Sequence, residues 1–323
     1  MIIVTGGAGF IGSAIVNELN ARGRTDIVLV DDADHPEKKK NLDSLRFEKN
    51  RGKEDFLEIV LGRGLSDVEA IIHMGACSST TETDEEFLRR NNFEYTRDLA
   101  EYCLENDVRF IYASSAATYG NGENGYSDDE SKMDTLTPLN LYGQSKQQFD
   151  LWAKGEGVLD RMAGLKYFNV YGPNEYHKEE MQSLVRKGFF QIKETEKIRL
   201  FKSYRSEYAD GAQERDFLYI KDAVTMTLFF LDRPDVGGIF NVGSGVARNW
   251  NDLAQAIFLA MGIEPNVEYI EMPDSIRNQY QYHTRAEMEK IRSAGYDRPL
   301  TSLENGITDY VENYLMPGKR LGR

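Results

Sequence analysis

Cysteine is scarce in this chain: only Cys77 and Cys103 occur among 323 residues. Two cysteines cannot build the disulfide framework of a small secreted protein, so a reducing compartment is expected. The first apolar run, Ile2-Ile3-Val4, has the pattern of a strand and lacks the basic region and cleavage site of a signal peptide. The sequence therefore predicts a cytoplasmic location.

Two further features are missing, a long apolar run and an excess of positive charge. No stretch reaches the roughly 18 consecutive apolar residues that indicate a membrane helix. Lys and Arg number 39 against 53 Asp and Glu, a formal net charge of −14, so a nucleic-acid backbone would be repelled. We therefore expect neither a membrane protein nor a nucleic-acid-binding protein. A small anionic ligand needs only a local positive patch.

What is present is an alternation of short apolar runs and amphipathic segments. The apolar runs are Ile2–Val4, Ile27–Val30, Ala70–His73, Phe110–Ala113 and Gly164–Asn169. Between them, segments such as Ile11–Arg22 and Phe93–Glu105 repeat apolar residues at the three-to-four spacing of a helix. Apolar strands separated by helices predict an α/β fold with a parallel sheet covered on both faces.

The first strand leads into a glycine-rich turn, "TGGAGFIGS". Gly6, Gly9 and Gly12 recur at every third residue between strand and helix, which lets the backbone approach a pyrophosphate at the helix N-terminus. Asp31 ends the second strand, 19 residues beyond Gly12, where a carboxylate binds an adenosine ribose. A plain turn is the alternative, but the combination predicts a dinucleotide site in a Rossmann-type doubly wound parallel sheet.

The regular alternation ends near residue 172. Charged, loop-like stretches such as 201–217 follow, mixed with later helices such as Trp250–Met261. Neither an internal repeat nor a low-complexity linker separates the two parts. We predict a cofactor-binding domain over residues 1–171, completed by segments that return from the C-terminal half. Residues 172–323 are predicted to form mainly a smaller substrate-binding domain.

The residues after Asp31 leave the choice between NAD and NADP open. Asp31 alone favours NAD, because a carboxylate repels a 2′-phosphate. Lys38 in "HPEKKKNL" and Lys53 in "RGKEDF" follow, and they could neutralise that phosphate as point charges. A solvated basic turn explains these lysines equally well.

A second signal lies in "LNLYGQSK". Tyr142 and Lys146 stand four residues apart, on one face of a predicted helix. An ammonium beside a phenol stabilises the phenolate, so we expect Lys146 to lower the pKa of Tyr142 towards a range useful for proton transfer. Ser115 or Ser114, at the end of the preceding strand, could hold a substrate oxygen. A Tyr-x-x-x-Lys pair often occurs by chance and gains meaning from the dinucleotide fold around it.

Six segments, taken in order, resemble the extended short-chain dehydrogenase/reductase family of nucleotide-sugar enzymes. They are "TGGAGFIG", "SSAATYG", "YGQSK", "YFNVYGP", "RDFLYIKDAV" and "GGIFNVGSG". Within that family, "GACSSTTETD", "YFNVYGPNEYHK" and "AGYDRPL" resemble the members that epimerise C6 of an ADP-bound heptose for the lipopolysaccharide core. The resemblance covers most of the chain. It implies this isomerase activity, an NADP cofactor and an ADP-heptose substrate.

The resemblance also implies roles for individual residues. Catalytic roles are implied for Ser115, Tyr142, Lys146 and Lys178. Cofactor contacts are implied for Gly6, Gly9, Phe10, Ile11, Gly12, Asp31, Asp32, Lys38, Lys53, Met74, Gly75, Ala76, Cys77, Ser78, Asn91, Tyr142, Lys146, Val170 and Lys178. Substrate contacts are implied for Ser115, Asn169, Glu180, Lys187, Phe201, Lys202, Ser203, Arg215 and Tyr280.

Some positions depart from the family pattern. Asp32 stands where an asparagine is usual and adds negative charge beside the ribose, so NAD stays an alternative to NADP. Met74 replaces a more polar residue in the cofactor loop. Glu180, Lys187 and the stretch 203–214 differ along the expected substrate rim.

Lys178 is informative because folding requires no lysine at the end of "YFNVYGPNEYHK". The proton at C6 of the heptose is not acidic, so inversion there needs transient oxidation and re-reduction. The resemblance implies that Tyr142 and Lys178 each serve one C6 configuration, with the pKa of Lys178 lowered by burial or by neighbouring cations. A 4-epimerase of the same family, which would need only the tyrosine, is the alternative. A non-catalytic cofactor sensor would usually lack the Tyr142–Lys146 pair.

Other residues carry weaker predictions. Cys77 is expected to pack in the cofactor loop and not to act as a nucleophile. No metal site is expected, because His73 and His177 lack companion ligands. The resemblance implies a homo-oligomer, a pentamer in the members most like this chain, although no heptad pattern or apolar stripe indicates it.

Overall fold

The structure, a computed structural model, describes residues 1–277 and 280–323. The strands are β1 Ile2–Thr5, β2 Ile27–Val30, β3 Lys49–Arg51, β4 Ala70–His73, β5 Arg109–Ser115, β6 Met162–Tyr167, β7 Asn169–Tyr171, β8 Ile198–Phe201, β9 Glu214–Tyr219, β10 Gly238–Val242, β11 Ala247–Asn249 and β12 Val267–Ile270. The α-helices are α1 Phe10–Ala21, α2 Pro36–Leu42, α3 Lys53–Leu61, α4 Glu85–Leu88, α5 Tyr95–Glu105, α6 Leu141–Gly155, α7 Leu184–Thr195, α8 Ile220–Asp232, α9 Trp250–Met261, α10 Asp274–Arg277, α11 Glu289–Ser293 and α12 Leu303–Tyr310. Arg89–Glu94 and Val311–Leu315 are π-helical, and 3₁₀ turns lie at Ala116–Tyr119, Glu130–Thr135, Leu159–Arg161 and Tyr176–Met181.

Seven strands form one parallel sheet in the order β10-β6-β5-β4-β1-β2-β3. The side chains of β1 alternate between its faces: Ile2 and Val4 pack in one apolar cluster, and Ile3 packs in another. Every residue of β1, β2 and β4 is buried, as expected of parallel strands covered on both faces. The predicted Rossmann-type α/β fold is confirmed.

The predicted elements agree with the observed bounds to within two residues. The strand predicted at Gly164–Asn169 runs over Met162–Tyr167, and the helix predicted from Phe93 begins at Tyr95 after the π-helical turn. Strand β3 was not predicted. Its three residues are all polar and pair only with β2 at the edge of the sheet.

Smaller sheets follow in the second half of the chain. Strands β7 and β9 pair in parallel, β9 and β11 pair antiparallel, and β8 pairs with β12. Strand β10 returns to the large sheet beside β6, so that sheet contains sequence from both sides of residue 171. The division at residue 171 and the substrate role of 172–323 stay predictions.

Three observations concern membranes, metals and thiols. No helix within residues 1–277 and 280–323 is long and apolar enough to cross a bilayer. In the same residues, no group of three or more His, Cys, Asp or Glu side chains could hold a metal ion. Cys77 and Cys103 are both free thiols, and Cys103 is buried.

The parallel register brings the ends of several strands to one edge of the sheet. Thr5, at the end of β1, pairs with Val30 of β2 and with His73 of β4. Ser115, at the end of β5, pairs with Tyr167 of β6. The strand order reverses between β1 and β4, and open α/β sheets bind ligands at such a switch point.

Candidate active site

A cleft of about 860 Å³ opens at the carboxyl ends of these strands. Its walls are the glycine-rich turn, the loops after β2, β4 and β5, helix α6 and the turn after β7. Every residue predicted for catalysis or for the cofactor lines this cleft. The structure thus brings both predicted sets together, while the role of each residue stays a prediction.

The glycine-rich turn leaves no room for side chains. Gly6 has a φ of +64°, and a Cβ there would lie 2.7 Å from the Gly75 nitrogen. A Cβ at Gly12 would lie 2.1 Å from the carbonyl oxygen of Gly6. Gly9 caps helix α1 without a side chain. The free N–H groups at the start of α1 are therefore open to an anionic ligand.

Acidic and basic groups meet where β2 ends. Asp31 is 7% exposed, and its carboxylate accepts hydrogen bonds from the Ala8 N–H at 3.0 Å and from Lys38 Nζ at 2.8 Å. Asp32 accepts from the Lys53 N–H at 3.1 Å. Both predicted lysines thus lie beside the acids that would face the ribose.

Helix α6 carries Tyr142 and Lys146 into the cleft, and its N-cap Asn140 accepts a hydrogen bond from the Gly143 N–H. Burial lowers the pKa of Lys146 to about 8, an effect that the Asp150 carboxylate partly offsets. Burial raises the pKa of Tyr142, and the Ser115 hydroxyl lowers it in part. The pKa of Tyr142 is therefore shifted upward and not downward as expected, because burial of the phenol dominates.

The two serines at the end of β5 have different partners. Ser114 donates to the Asp150 carboxylate at 2.7 Å, and Asp150 also forms a fully buried ion pair with Lys166 at 2.9 Å. The Ser115 hydroxyl instead contacts the Tyr142 phenol, where it lowers the pKa of the phenol in part. Of the two serines considered from the sequence, this arrangement favours Ser115 as the group beside a substrate oxygen.

Lys178 lies in the 3₁₀ turn that follows β7. Its side chain is half-buried, with Nζ 5.3 Å from the centre of the Phe10 ring. Burial lowers the pKa of Lys178, as expected, and the nearby Glu175 carboxylate partly opposes this. Within the described part of the chain, no carboxylate lies within ion-pair distance of its amine. A half-buried, unpaired amine in the cleft is suited to donating and accepting a proton.

The turn that holds Lys178 is strained. Glu179, the next residue, has a φ of +45°, and Asn174, four residues before the lysine, has a φ of +80°. Asn adopts such an angle readily, whereas the angle at Glu179 is costly and persists where surrounding contacts hold it in place. Glu175 supplies one such contact, because its buried carboxylate accepts from the Ser183 hydroxyl at 2.6 Å. The position of Lys178 is therefore fixed by its neighbours.

The residues predicted to contact substrate are more dispersed. Ser115 and Asn169 line the cleft. Arg215 is 6% exposed, and its guanidinium lies 5.0 Å from the Tyr280 ring and 5.7 Å from the ring of Trp250, which lines the cleft. Phe201 packs edge-on against Tyr280 at 6.3 Å. These three predicted residues thus form an aromatic and cationic cluster next to the cleft.

The other predicted substrate residues form surface contacts outside the cleft. Lys187 pairs with the exposed Glu180 at 3.0 Å. Lys202 pairs with Glu271 at 2.6 Å, and the Ser203 N–H donates to a carboxylate in the following loop. These four residues do not line the cleft in the described structure, so their predicted contact with substrate stays a prediction.

Comparison with known proteins identifies the family. Residues 2–243 match the model of the NAD dependent epimerase/dehydratase family, which is more than half of the chain. The chain belongs to this family. Relatives from Nitratidesulfovibrio vulgaris and Fusobacterium nucleatum, both named ADP-L-glycero-D-manno-heptose-6-epimerase, are 54% and 47% identical to it, over 98% of this chain and 98% of theirs.

A solved structure supports the same family. The crystal structure of Helicobacter pylori ADP-L-glycero-D-manno-heptose-6-epimerase resembles this chain with a TM-score of 0.82 and 28% identity, covering 97% of this chain and 95% of that one. The family resemblance found in the sequence motifs is confirmed.

The cleft suits the cofactor class in the family's description. A dinucleotide requires a turn without side chains at its pyrophosphate and an acid at its ribose. The glycine-rich turn and the buried Asp31 meet both requirements. Ala8, within that turn, donates to Asp31 and so joins the two parts of the site.

One buried residue that supports the cleft wall received no role from the sequence. Asn92 is fully buried in the π-helical turn, where it accepts from the Cys77 N–H and donates to the Cys77 carbonyl, each at 2.9 Å. It also donates to Ser145 on α6 at 3.0 Å. Asn92 therefore holds the loop after β4 against the helix of Tyr142. The sequence signal was the Asn-Asn pair at 91–92, which belongs to the motifs that resemble the heptose epimerases. A π-helical turn often marks a functional site.

Proposed function

We propose that this chain is an epimerase that inverts C6 of ADP-D-glycero-D-manno-heptose to give ADP-L-glycero-D-manno-heptose, supplying heptose for the lipopolysaccharide core. The observation that carries the proposal is the presence of Tyr142 and Lys178 in one cleft beside the glycine-rich turn. One comes from α6 and the other from the turn after β7, so two acid/base groups reach the cleft from different elements. The relatives' names support the same reaction.

The proposed reaction needs hydride transfer, which a cofactor supplies, and proton transfer, which side chains of the protein supply. When bound, a nicotinamide cofactor supplies removal of hydride from C6 and its return to the opposite face. The protein must move a proton at the C6 oxygen in each direction. Tyr142, assisted by Ser115, would serve one C6 configuration, and Lys178 would serve the other. Both side chains can exchange a proton, and burial brings the pKa of Lys178 closer to neutrality.

We propose NADP as the cofactor. Support comes from Lys38 and Lys53, which lie beside Asp31 and Asp32 at the expected ribose end. Lys53 Nζ donates to the Asn91 carboxamide at 2.9 Å, so its ammonium points along the cleft wall. A 2′-phosphate would give Lys38 a partner with more charge than the Asp31 carboxylate it now contacts. NAD would leave both lysines with protein partners alone.

The substrate diphosphate is proposed to bind near Arg215. Burial lowers the pKa of Arg215, and its side chain donates to the Glu214 carbonyl at 2.7 Å. In the described residues its guanidinium has no carboxylate within ion-pair distance. A buried cation without a counter-ion suits an anionic ligand.

A homo-oligomer, a pentamer by resemblance, and a cytoplasmic location belong to the same proposal.

The test is conversion of ADP-D-glycero-D-manno-heptose by purified protein, with the C6 configuration read by NMR and no reductant added. We expect the C6 epimer to accumulate until the two forms reach equilibrium. No change at C6 would contradict the proposal, and inversion at a 4-position of another nucleotide sugar would favour the 4-epimerase alternative.

A further inference from the structure

Residues 319–323 run across the outside of the site and contact two of its walls. Arg320 is 7% exposed, and one arm of its guanidinium donates to the Asn41 carboxamide oxygen of α2 at 2.6 Å. The other arm pairs with Glu37, also on α2. Helix α2 also carries Lys38. Arg320 is therefore bonded to the helix that is proposed to bind the cofactor phosphate.

The same segment contacts the turn that holds Lys178. The Arg320 guanidinium lies 4.4 Å from the centre of the Tyr176 ring. The Tyr176 hydroxyl donates to the Lys319 carbonyl at 2.9 Å, and the Leu321 N–H donates to the Asn174 carboxamide at 3.1 Å. One short segment is therefore bonded both to α2 and to the 174–178 turn.

Two buried asparagines complete the connection. Asn41, 1% exposed, donates to the Ala8 carbonyl in the glycine-rich turn and to the Asn174 carbonyl, each at 3.1 Å. Asn174 is fully buried and donates to Ser13 on α1 at 3.0 Å. We call Arg320, Asn41 and Asn174 the Arg320 network. It links α2, the glycine-rich turn, α1 and the turn that holds Lys178 through buried hydrogen bonds.

We propose that Arg320 is a positioning residue that sets the 174–178 turn against α2 and thereby couples cofactor binding to the placement of Lys178. Asn174 begins the turn with a φ of +80°, and its carbonyl and carboxamide are held by Asn41 and by the Leu321 N–H. These contacts reach the turn from the side of α2. The expected effect on kcat, the kinetic half of this inference, rests on the proposed epimerase function. The expected effect on cofactor affinity, the cofactor half, does not.

The central test is Arg320→Met, which keeps an apolar stem and removes the guanidinium. A misplacement of about 1 Å can cost about 100-fold in rate, so we expect kcat for C6 epimerisation to fall roughly 10- to 100-fold. The cofactor Kd, titrated on cofactor-free protein with NADP alone, should rise roughly tenfold through the lost support of α2. The KM for the ADP-heptose should change little, because the Arg215 cluster does not contact this segment.

Arg323→Met is the matched control, since Arg323 lies on the same segment and pairs with Asp43 at the surface. It should leave kcat and the cofactor Kd within about twofold, as is usual for a surface pair. Arg320→Lys should restore kcat and cofactor affinity in part, because one ammonium can contact Asn41 or Glu37 but cannot replace both contacts of the guanidinium. If Arg320→Met does not fold, Arg320→Lys carries the test, with an intermediate loss expected.

Normal kcat and normal cofactor Kd in the folded Arg320 variants would overturn the inference, even with a lowered melting temperature. Arg320 would then only stabilise the fold. Failure of the proposed function is seen separately, as absence of epimerisation by the unaltered protein. In that event, a raised cofactor Kd in Arg320→Met would still support the cofactor half, and an unchanged Kd would overturn it.

Discussion

Replacing Lys178 by Met removes an amine from the cleft and keeps a side chain of similar length. The amine lies 5.3 Å from the Phe10 ring and, among described residues, has no ion-pair partner. Loss of a positioned general acid or base typically lowers a rate by about 10²–10⁴-fold. We therefore expect Lys178→Met to slow C6 epimerisation by at least about 100-fold.

The same substitution should leave the stability of the fold almost unchanged. Loss of the cation–π contact with Phe10 would cost about 0.5–2 kcal/mol. Burial lowers the pKa of Lys178, which means that the site disfavours the charged amine, and a neutral Met removes that unfavourable term. Because the two effects oppose each other, the free energy of unfolding should change by less than about 1 kcal/mol.

The assay follows ADP-D-glycero-D-manno-heptose by NMR at C6, with urea unfolding and cofactor titration of the same samples. Cofactor affinity should stay near normal, since Lys178 is one of many predicted cofactor contacts and the glycine-rich turn and Tyr142 are untouched. Lys193→Met is the matched control, because Lys193 is exposed on α7 and does not line the cleft. Epimerisation by Lys178→Met at close to the unaltered rate would refute the two-base reasoning and leave Lys178 as a surface or substrate-charge contact.

Three other expectations can be tested in the same way. Tyr142→Phe should lower the epimerisation rate by about 10²–10⁴-fold while the protein still binds cofactor, and a normal rate would remove Tyr142 from the mechanism. NADP should bind more tightly than NAD, and Lys53→Ala should narrow the gap; equal affinities in the unaltered protein, titrated at fixed salt, would contradict this. Burial lowers the pKa of His73 to about 3 from an ordinary value of 6.5, so the unfolded chain binds the extra proton between these pH values. The free energy of unfolding should therefore decrease as the pH is lowered from about 6.5 to about 3, by about 1.4 kcal/mol for each pH unit from this one group. Urea titrations of His73→Gln should show a shallower decrease.

The large sheet was predictable because of how its central strands are buried. A parallel strand covered on both faces needs apolar residues at nearly every position, so β1 up to Val4 and β4 up to Ile72 stand out as continuous apolar runs. Strand β3 carries no such signal. Lys49–Arg51 is an edge strand placed by its pairing with β2, and polar residues suit an edge that faces water.

The site was predictable where a local motif fixes the backbone and not where partners are distant in sequence. The three glycines of the turn lie within a few residues of one another, and so do Tyr142 and Lys146. Arg320 bonds to Asn41 across 279 positions, and no short pattern marks either residue. The direction of the Tyr142 pKa was wrong for a related reason, since burial of its phenol depends on packing of the whole cleft.

A mechanism with two acid/base groups imposes a stricter geometric demand than one with a single tyrosine. Tyr142 lies in the first turn of a regular helix, which the Asn140 side chain caps by accepting from the Gly143 N–H. Lys178 is held by a turn with positive φ angles at Asn174 and Glu179, which a chain adopts only under constraint. That constraint comes from two sides, from Ser183 through Glu175 and from α2 through Arg320. The contacts around Lys178 therefore hold its amine in the cleft beside Phe10, at the start of α1. Stability of the fold does not require an amine at this position.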